Sequence, residues 1–489
     1  MTRSKSTKTA IRISIGNKRK SAILIVSIGF ALGVSVAPGV VQAKSDKEGY
    51  ELTYLEEMGK RLFFANISSP KRQACASCHN PGAGGTNGQS HTNLTQVAVT
   101  GADPHTVGNR KPPTNKYAAF LKGDDVMGLS TFGPCRSIAG VCGGAFWDGR
   151  ALGGDLMDSQ NRAINVFFGL KNDFDYHKMY NKYVNNPVTH QAHASPFINP
   201  VEQGLANKTE TCQLVQKTKW GAELYEYAWG VKLDCNKDID IVFARFATAL
   251  GAWQLSGENN NFTSKRDDVM RKTAEFTDLE QQGQDLFYGA AGCAICHRSS
   301  ESAEVAKQNL LERYTDDSYH KVGFPVNYDN PGSAESDQGL FAVTGFINEE
   351  NPLRSHMGMH KTPTLRNVDQ RLSKNFVKAY THNGFFKTLE GLVHFYNTGA
   401  IKERCPTNKV TEKEALEMDC WPEPEFFEGS LIQLSGSIPV PVGLPGKLGL
   451  DEQQEAALVA YLKTFTDSEI VEVPKPYKSS PERDPNRVK

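Results

Sequence analysis

Apolar residues recur at helical spacing in two stretches of the chain. Leu55, Met58 and Leu62 fall on one face of a helix predicted over residues 55–64. A second string, residues 279–287, repeats this pattern in register. The positions that agree are Leu55 with Leu279, Glu56 with Glu280, Gly59 with Gly283, Leu62 with Leu286 and Phe63 with Phe287. Such an internal repeat predicts two related domains.

Each half of the chain also closes on a predicted helix, over residues 240–255 in the first half and 451–465 in the second. Between these helices the sequence is rich in Gly, Pro and Asn, and alternating strand patterns are scarce. The pattern therefore predicts a mainly α fold with long loops and little strand.

A five-residue motif follows each repeated helix. Residues 75–79 read C-A-S-C-H, and residues 293–297 read C-A-I-C-H. C-x-x-C-H is the attachment pattern of a c-type haem, in which two thiols bond the vinyl groups and the His binds the iron. The cofactor-binding residues are then Cys75, Cys78 and His79, and Cys293, Cys296 and His297. A zinc site would need a second ligand pair, and a thioredoxin-type motif would not need the His.

These motifs make the predicted halves two cytochrome c-like haem domains. Residues 44–260 form the N-terminal domain and residues 261–473 the C-terminal domain. Residues 474–489 form a Pro-rich, charged tail that we expect to be flexible.

Residues 1–43 resemble a secretory signal. Seven basic residues precede an apolar stretch over residues 22–36, and V-Q-A at residues 41–43 is typical of a cleavage site. A retained membrane anchor is the alternative, but Gly29, Gly33 and Pro38 interrupt the stretch. We expect a periplasmic protein with no stable membrane span after cleavage. The 55 basic residues less these seven leave 48 against 55 acidic residues, a net charge of −7 that argues against nucleic-acid binding.

Six cysteines remain once the haem motifs take four of the ten. An even remainder in an exported protein indicates disulfides, although six cysteines allow 15 connectivities. Proximity along the sequence favours Cys135–Cys142, Cys212–Cys235 and Cys405–Cys420.

Taken together, these motifs resemble the bacterial di-haem cytochrome c peroxidase superfamily, which includes the MauG-type enzymes. The likeness runs from about residue 52 to residue 465. The strings that carry it, besides the haem motifs, are residues 59–64, 146–150, 199–202, 339–344, 362–368, 381–384 and 395–397.

The resemblance implies catalytic roles near the first haem. The haem on His79 should react with hydrogen peroxide, Glu202 should move the proton that O–O cleavage requires, and Pro196 should line the same distal pocket. Trp147 should lie between the haems and relay electrons. On their own, Glu202 could be a solvated loop acid and Trp147 a packed aromatic.

For the second haem, the family pattern implies a second axial ligand. Tyr396 falls where ordinary di-haem peroxidases have a Met and MauG-like proteins a Tyr. A phenolate favours the higher oxidation states of iron, whereas a thioether favours the reduced state. The metal ligands would then be His79, His297 and Tyr396. The alternatives are a merely buried Tyr396, or ligation by Met357, Met359, His356 or His360.

Several positions depart from the family pattern. Lys111 stands where the family has an Asn calcium ligand, so a calcium ion between the haems is an option that the sequence disfavours. Ala291 replaces the Trp through which MauG proteins pass holes to a protein substrate. His91 and His105 are candidates for a switchable distal ligand, although each fits a surface loop. Residues 152–193 form an insertion.

The sequence thus predicts a periplasmic di-haem peroxidase with two covalently bound haem c groups. Its reductant would be a small redox protein, either a cytochrome c or a cupredoxin, or a residue of a protein substrate. A non-catalytic electron-transfer cytochrome is the competing hypothesis.

Overall fold

The computed structural model describes residues 51–479 except 123–124, 129–130, 171–174, 195, 300–311, 332–336 and 440–442, together with residues 483, 484 and 487. The predicted signal segment lies outside these residues. The α-helices described are Tyr54–Phe64, Cys75–Cys78, Ser90–Leu94, Tyr176–Met179, Pro187–His193, Lys208–Gln216, Gly221–Trp229, Ile239–Leu255, Lys265–Met270, Asp278–Tyr288, Phe341–Thr344, Leu389–Thr398, Glu412–Glu417, Leu431–Gly436 and Glu452–Lys463.

Strands are few and short. The antiparallel pairs are Ala119–Lys122 with Asp125–Gly128, Gly133–Pro134 with Val141–Cys142, and Tyr319–His320 with His360–Lys361. Single turns complete the described elements: Pro81–Ala83, Cys293–Ile295 and Pro352–Arg354 are 3-10 helices, and Tyr180–Val184 is a π-helix. The predicted mainly α class with little strand is confirmed.

The two repeated helices, Tyr54–Phe64 and Asp278–Tyr288, begin in the same way. Thr53 accepts a hydrogen bond from the Glu56 amide while the Glu56 side chain binds the Thr53 amide, and Thr277 and Glu280 do the same. This reciprocal capping satisfies two amides that a helix start otherwise leaves without partners. Each helix has 11 residues and extends about one residue beyond its predicted start.

The repeat also governs how these helices pack. Helix Tyr54–Phe64 lies against helix Ile239–Leu255, and helix Asp278–Tyr288 lies against helix Glu452–Lys463. A Cβ at Gly59 would collide with the Ala249 carbonyl oxygen, and a Cβ at Gly283 with the Ala457 carbonyl oxygen. Both crossings therefore need a residue without a side chain at the same place, so the predicted register of the repeat is confirmed.

Each helix pair is surrounded by its own apolar cluster. The first core contains Met58, Leu62, Phe63, Leu250 and Trp253, and the second core contains Phe287, Phe395, Trp421, Tyr461 and Phe465. The exact bounds of the two haem domains remain a prediction.

A buried ion pair fixes the first residues of the predicted C-terminal domain. Arg366 donates from Nη1 and Nη2 to both carboxylate oxygens of Asp267, at 2.6 and 2.8 Å, and each side chain is at most 2% exposed. Removing one partner of such a pair costs about 3–5 kcal/mol, because a buried charge is left uncompensated. The polar, charged segment 257–276, which contains Asp267, is thus anchored to the protein interior.

Two further features concern loops and membranes. The three predicted disulfides, Cys135–Cys142, Cys212–Cys235 and Cys405–Cys420, are all present and confirmed. Within the ranges given above, no helix is both long and apolar enough to cross a membrane.

Candidate active site

The first C-x-x-C-H motif forms a single helical turn, Cys75–Cys78, followed by His79. Both cysteines are free of disulfides. The His79 Nδ1 lies 3.2 Å from the Gly85 carbonyl oxygen. Because a carbonyl only accepts hydrogen bonds, the proton sits on Nδ1 and Nε2 keeps its lone pair for a metal. Burial also lowers the pKa of His79, which favours the neutral ligand form.

Glu202 is half-buried near this motif. Burial, and then the Glu202 carboxylate, raise the pKa of the Cys75 and Cys78 thiols to about 12, so the carboxylate acts on both sulfurs. Burial raises the pKa of Glu202 itself, against the opposing effects of Arg150 and of a hydrogen bond from Asn199 Nδ2 to Oε1 at 3.0 Å. The carboxyl group can therefore hold a proton at a higher pH than a solvated acid would.

Pro196 is tied to the turn that carries Glu202. Its carbonyl accepts the Gln203 amide at 3.2 Å, and Gln203 Nε2 lies 3.4 Å from Cys75 Sγ. The Glu202 amide donates to the Asn199 carbonyl at 3.0 Å, which closes the turn. The structure thus brings the N-P-V-E string to the first motif, as the sequence suggested, while the catalytic roles of Pro196 and Glu202 remain a prediction.

Trp147 is buried between elements from both halves of the sequence. Its indole Nε1 donates to the Lys111 carbonyl at 2.9 Å, and its own carbonyl accepts the Lys361 amide at 2.8 Å. Its ring meets the His382 ring edge to face, with centroids 6.3 Å apart. Trp147 is therefore fixed by contacts that the sequence alone could not indicate.

The second motif is held like the first. His297 Nδ1 donates to the Tyr314 carbonyl at 2.8 Å, and burial lowers the His297 pKa. Cys293 and Cys296 are free of disulfides. All three line a largely apolar cavity of about 240 Å³, whose wall also includes Trp147 and Tyr396. A cavity beside two free thiols and an oriented imidazole fits a c-type haem.

Tyr396 lies in the wall of this cavity. Burial, and then the Cys296 and Cys293 sulfurs, raise its pKa above the usual range. Among the described residues, none forms a hydrogen bond with its hydroxyl. Tyr396 is half-buried on the cavity wall, so its oxygen is free to bind a metal ion in the cavity.

The competing ligands are placed differently. His356 uses both ring nitrogens, one with the Ala139 carbonyl at 2.8 Å and one with the Thr344 hydroxyl at 2.7 Å. Met359 packs in a small separate cluster with Tyr319 and Leu340. Met357 is not part of the described cavity wall, whereas His360 is. The geometry favours Tyr396 over His356, Met357 and Met359, and the ligand remains a prediction.

A buried polar cluster around His360 was not foreseen. The His360 and His382 rings stack with centroids 3.5 Å apart, and their Nε2 atoms contact Asp337 and Glu425 at 3.2 and 2.7 Å. Parallel rings cannot both direct lone pairs at one metal ion, and Arg110 already pairs with Asp337. The cluster therefore fits a hydrogen-bond network better than a metal site.

The distal histidine candidates receive no support. His105 is an exposed loop residue, and His91 is exposed on the short helix Ser90–Leu94. At the position of the family's calcium ligand, Lys111 is buried, its Nζ lies 3.4 Å from the Pro112 carbonyl, and burial lowers its pKa to about 8. An ammonium group is not a calcium ligand.

Comparison with known proteins gives consistent results. Residues 54–275 match the family model described as di-haem cytochrome c peroxidase. The chain is 30% identical over 422 residues to the methylamine utilization protein MauG of Paracoccus denitrificans, which covers 84% of this chain and 88% of that protein. It is 24% identical over 367 residues to the cytochrome-c peroxidase IdrP2 of a Pseudomonas species, with 70% and 73% covered.

Two solved structures share the fold. The diheme peroxidase BthA of Burkholderia thailandensis matches with a TM-score of 0.57 and 22% identity, over 85% of this chain and 87% of that one. A MauG-like protein associated with microbial copper homeostasis matches with a TM-score of 0.52 and 21% identity, over 86% and 91%.

Proposed function

The chain belongs to the di-haem cytochrome c peroxidase family that includes MauG, and we propose that it reduces hydrogen peroxide at a haem held by His79. Members of this family are di-haem oxidoreductases, so the chain is an enzyme with two haem groups. The observation that carries the proposal is the half-buried Glu202 carboxyl, in a turn whose next residue, Gln203, contacts the first motif through Nε2 at 3.4 Å from Cys75 Sγ.

We propose covalent attachment of both haems, and the free cysteine pairs support it. Six of the ten cysteines form disulfides, and the four in the motifs stay free. We expect mass spectrometry of the exported protein to show two haem additions and a chain that starts at Lys44. A single addition, or a retained segment 1–43, would contradict the proposed attachment or export.

The bound haem iron supplies the redox chemistry that cleaves the O–O bond. Glu202 takes a proton from one peroxide oxygen and returns a proton to the departing one. Asn199 holds Oε1, and among the described hydrogen bonds none occupies Oε2, so that oxygen is available to carry the proton. The raised pKa of Glu202 brings its proton affinity closer to neutral pH, as general acid–base catalysis requires.

Trp147 and Tyr396 serve the second of the two oxidising equivalents that hydrogen peroxide delivers. Trp147, held by hydrogen bonds with Lys111 and Lys361, provides an aromatic path for an electron. His297 and Tyr396 would hold the iron of the second haem, and a Tyr396 phenolate would favour its oxidised states. The reductant is a small cytochrome c, a cupredoxin or a residue of a protein substrate in the periplasm. Calcium has no part in the proposal, because Lys111 stands at its ligand position.

Titration with hydrogen peroxide, with and without prior reduction, tests the function. We expect the resting ferric protein to show a high-spin first haem and to react with about one equivalent of peroxide without prior reduction. No reaction under either condition would favour the electron-transfer cytochrome, against which the family membership argues. A reaction only after reduction would keep the peroxidase and remove the MauG-like role of Tyr396.

A further inference from the structure

Lys378 is a buried lysine on the cavity wall, and each hydrogen bond described for its Nζ ends at a backbone oxygen. The residue is 3% exposed. Its Nζ donates to the carbonyl oxygens of Ala83, Asn367 and Gln370, each at 3.0 Å. Within the described residues, no carboxylate forms a hydrogen bond with it. Asp369, whose charge acts on Lys378, is bound by Arg371 and by the Tyr380 hydroxyl.

The three carbonyl acceptors determine the protonation state of the Lys378 side chain. A neutral amine has two N–H donors and would direct its lone pair at the third oxygen, whereas an ammonium has three donors. Burial lowers the Lys378 pKa, and the charges of Lys111, Arg371 and Lys116 lower it further against the effect of Asp369. The three oxygens offset this cost only for the charged form, in the way that carbonyl oxygens hold a bound metal cation.

The three carbonyls come from two distant segments. Ala83 ends the turn Pro81–Ala83, directly after the first haem motif, whereas Asn367 and Gln370 lie in a loop almost three hundred residues later. The segments approach so closely that a Cβ at Gly84 would lie 2.7 Å from the Asn367 carbonyl and 3.1 Å from Lys378 Nζ. One residue further on, the Gly85 carbonyl accepts the His79 Nδ1 proton.

We propose that the Lys378 ammonium acts as a built-in cation that joins the loop behind His79 to the loop 367–370 and so positions His79 as an iron ligand. Lys378 does not touch the iron or the substrate. It acts through Ala83, Gly84 and Gly85, and it makes a separate metal ion at this junction unnecessary. The inference rests on the haem proposed at His79 and not on its reaction with peroxide.

The test removes the ammonium and then returns it. Lys378→Ala keeps the Cβ, and n-propylammonium is the fragment that the substitution removes. We expect the variant to show altered absorption and potential of the first haem only, and a reaction with peroxide slowed by about 10–100-fold, the usual effect of losing an outer-shell partner. Millimolar n-propylammonium should restore both, and tetramethylammonium, which has no N–H donor, should not.

Lys374→Ala is the matched control, because Lys374 lies on the same segment and is exposed. It should behave as the wild type. If Lys378→Ala does not fold, Lys378→Gln, which keeps two N–H donors without the charge, should give a smaller change of the same spectrum. An unchanged first-haem spectrum in whichever variant folds would overturn the proposal.

Two further outcomes separate this inference from its alternatives. Treatment of the wild type with EDTA should leave the first haem unchanged, whereas a change like that of Lys378→Ala would assign the junction to a metal ion and overturn the proposal. If the wild type does not react with peroxide but Lys378→Ala alters the first haem reversibly, the peroxidase function fails and the positioning role stands.

Discussion

The two haem motifs are held alike but face different side chains. In each half a capped 11-residue helix crosses a closing helix at a glycine, and the motif His donates from Nδ1 to a backbone carbonyl, of Gly85 in one and Tyr314 in the other. The neighbouring side chains differ, because a carboxyl acts on the first pair of thiols whereas the second pair acts on a phenol.

This difference shows where the two halves have specialised. Glu202 lies in the turn 199–204 and Tyr396 on helix Leu389–Thr398, and both are outside the repeated string. The repeat therefore provides haem attachment, while segments outside it provide the chemistry. A substitution in one half of the molecule can therefore be compared with the unchanged other half.

The largest expected effect belongs to Glu202→Gln. The amide keeps the shape and cannot move the proton, so we expect peroxide cleavage to slow by about 10²–10⁴-fold. Stopped-flow spectra measure this, and Glu403→Gln, which changes an exposed acid, is the control. The second haem should keep its spectrum. An unchanged rate would remove Glu202 from the mechanism.

Tyr396→Met should act on the other haem. A neutral thioether replaces an anionic oxygen, so the potential of the second haem should rise by on the order of 0.1 V, within the roughly 0.8 V range that axial ligands span. The peroxide-generated oxidised state should also decay faster. Redox titration and rapid mixing measure both effects. If the second haem keeps its spectrum and potential, Tyr396 is only a packed aromatic and His360 becomes the next candidate.

Gly59 and Gly283 test the helix crossing that the two halves share. Alanine favours a helix over glycine by about 1 kcal/mol, but overpacking costs about 1–3 kcal/mol or more. Because the added Cβ meets backbone atoms, we expect Gly59→Ala and Gly283→Ala each to lower the free energy of unfolding by about 1–2 kcal/mol. Gly108→Ala, where the space is open, is the control for denaturant unfolding. Unequal effects at Gly59 and Gly283 would mean that the two crossings are not equivalent.

The smallest effect is on the pH dependence of stability. Glu202 has a raised pKa in the folded chain, so its folded form binds the proton more tightly than the unfolded form. Its contribution to stability is complete below the ordinary carboxyl pKa of 4.5 and is lost as pH rises through the folded value. The loss is about 1.4 kcal/mol for each unit by which the pKa is raised. The stability difference between wild type and Glu202→Gln should change over this range, and a difference independent of pH would contradict the raised pKa.

Local patterns in the sequence were enough to predict much of this molecule. The repeat, the class of fold, the family and the disulfides depend on residues that lie near one another along the chain or within recognisable strings. Cys212 and Cys235, for example, are consecutive cysteines.

The sequence could not predict groups that distant segments bring together. His382 belongs to the family-like string of residues 381–384, but its stacking on His360 and its contact with Glu425 depend on three separate segments. The environment of Lys378 could not be predicted for the same reason. Its partners are backbone carbonyls, and no residue type indicates them.

The order of the disulfides has a consequence for how the chain matures. Each disulfide joins cysteines that are neighbours in the sequence, so oxidation in the order of emergence from a translocation channel gives the native pairs without isomerisation. The same rule would join Cys75 to Cys78 and Cys293 to Cys296, which must stay reduced to bond haem. Under the proposed export, haem delivery must therefore outpace thiol oxidation at two points along the chain, or a reductant must reopen these pairs.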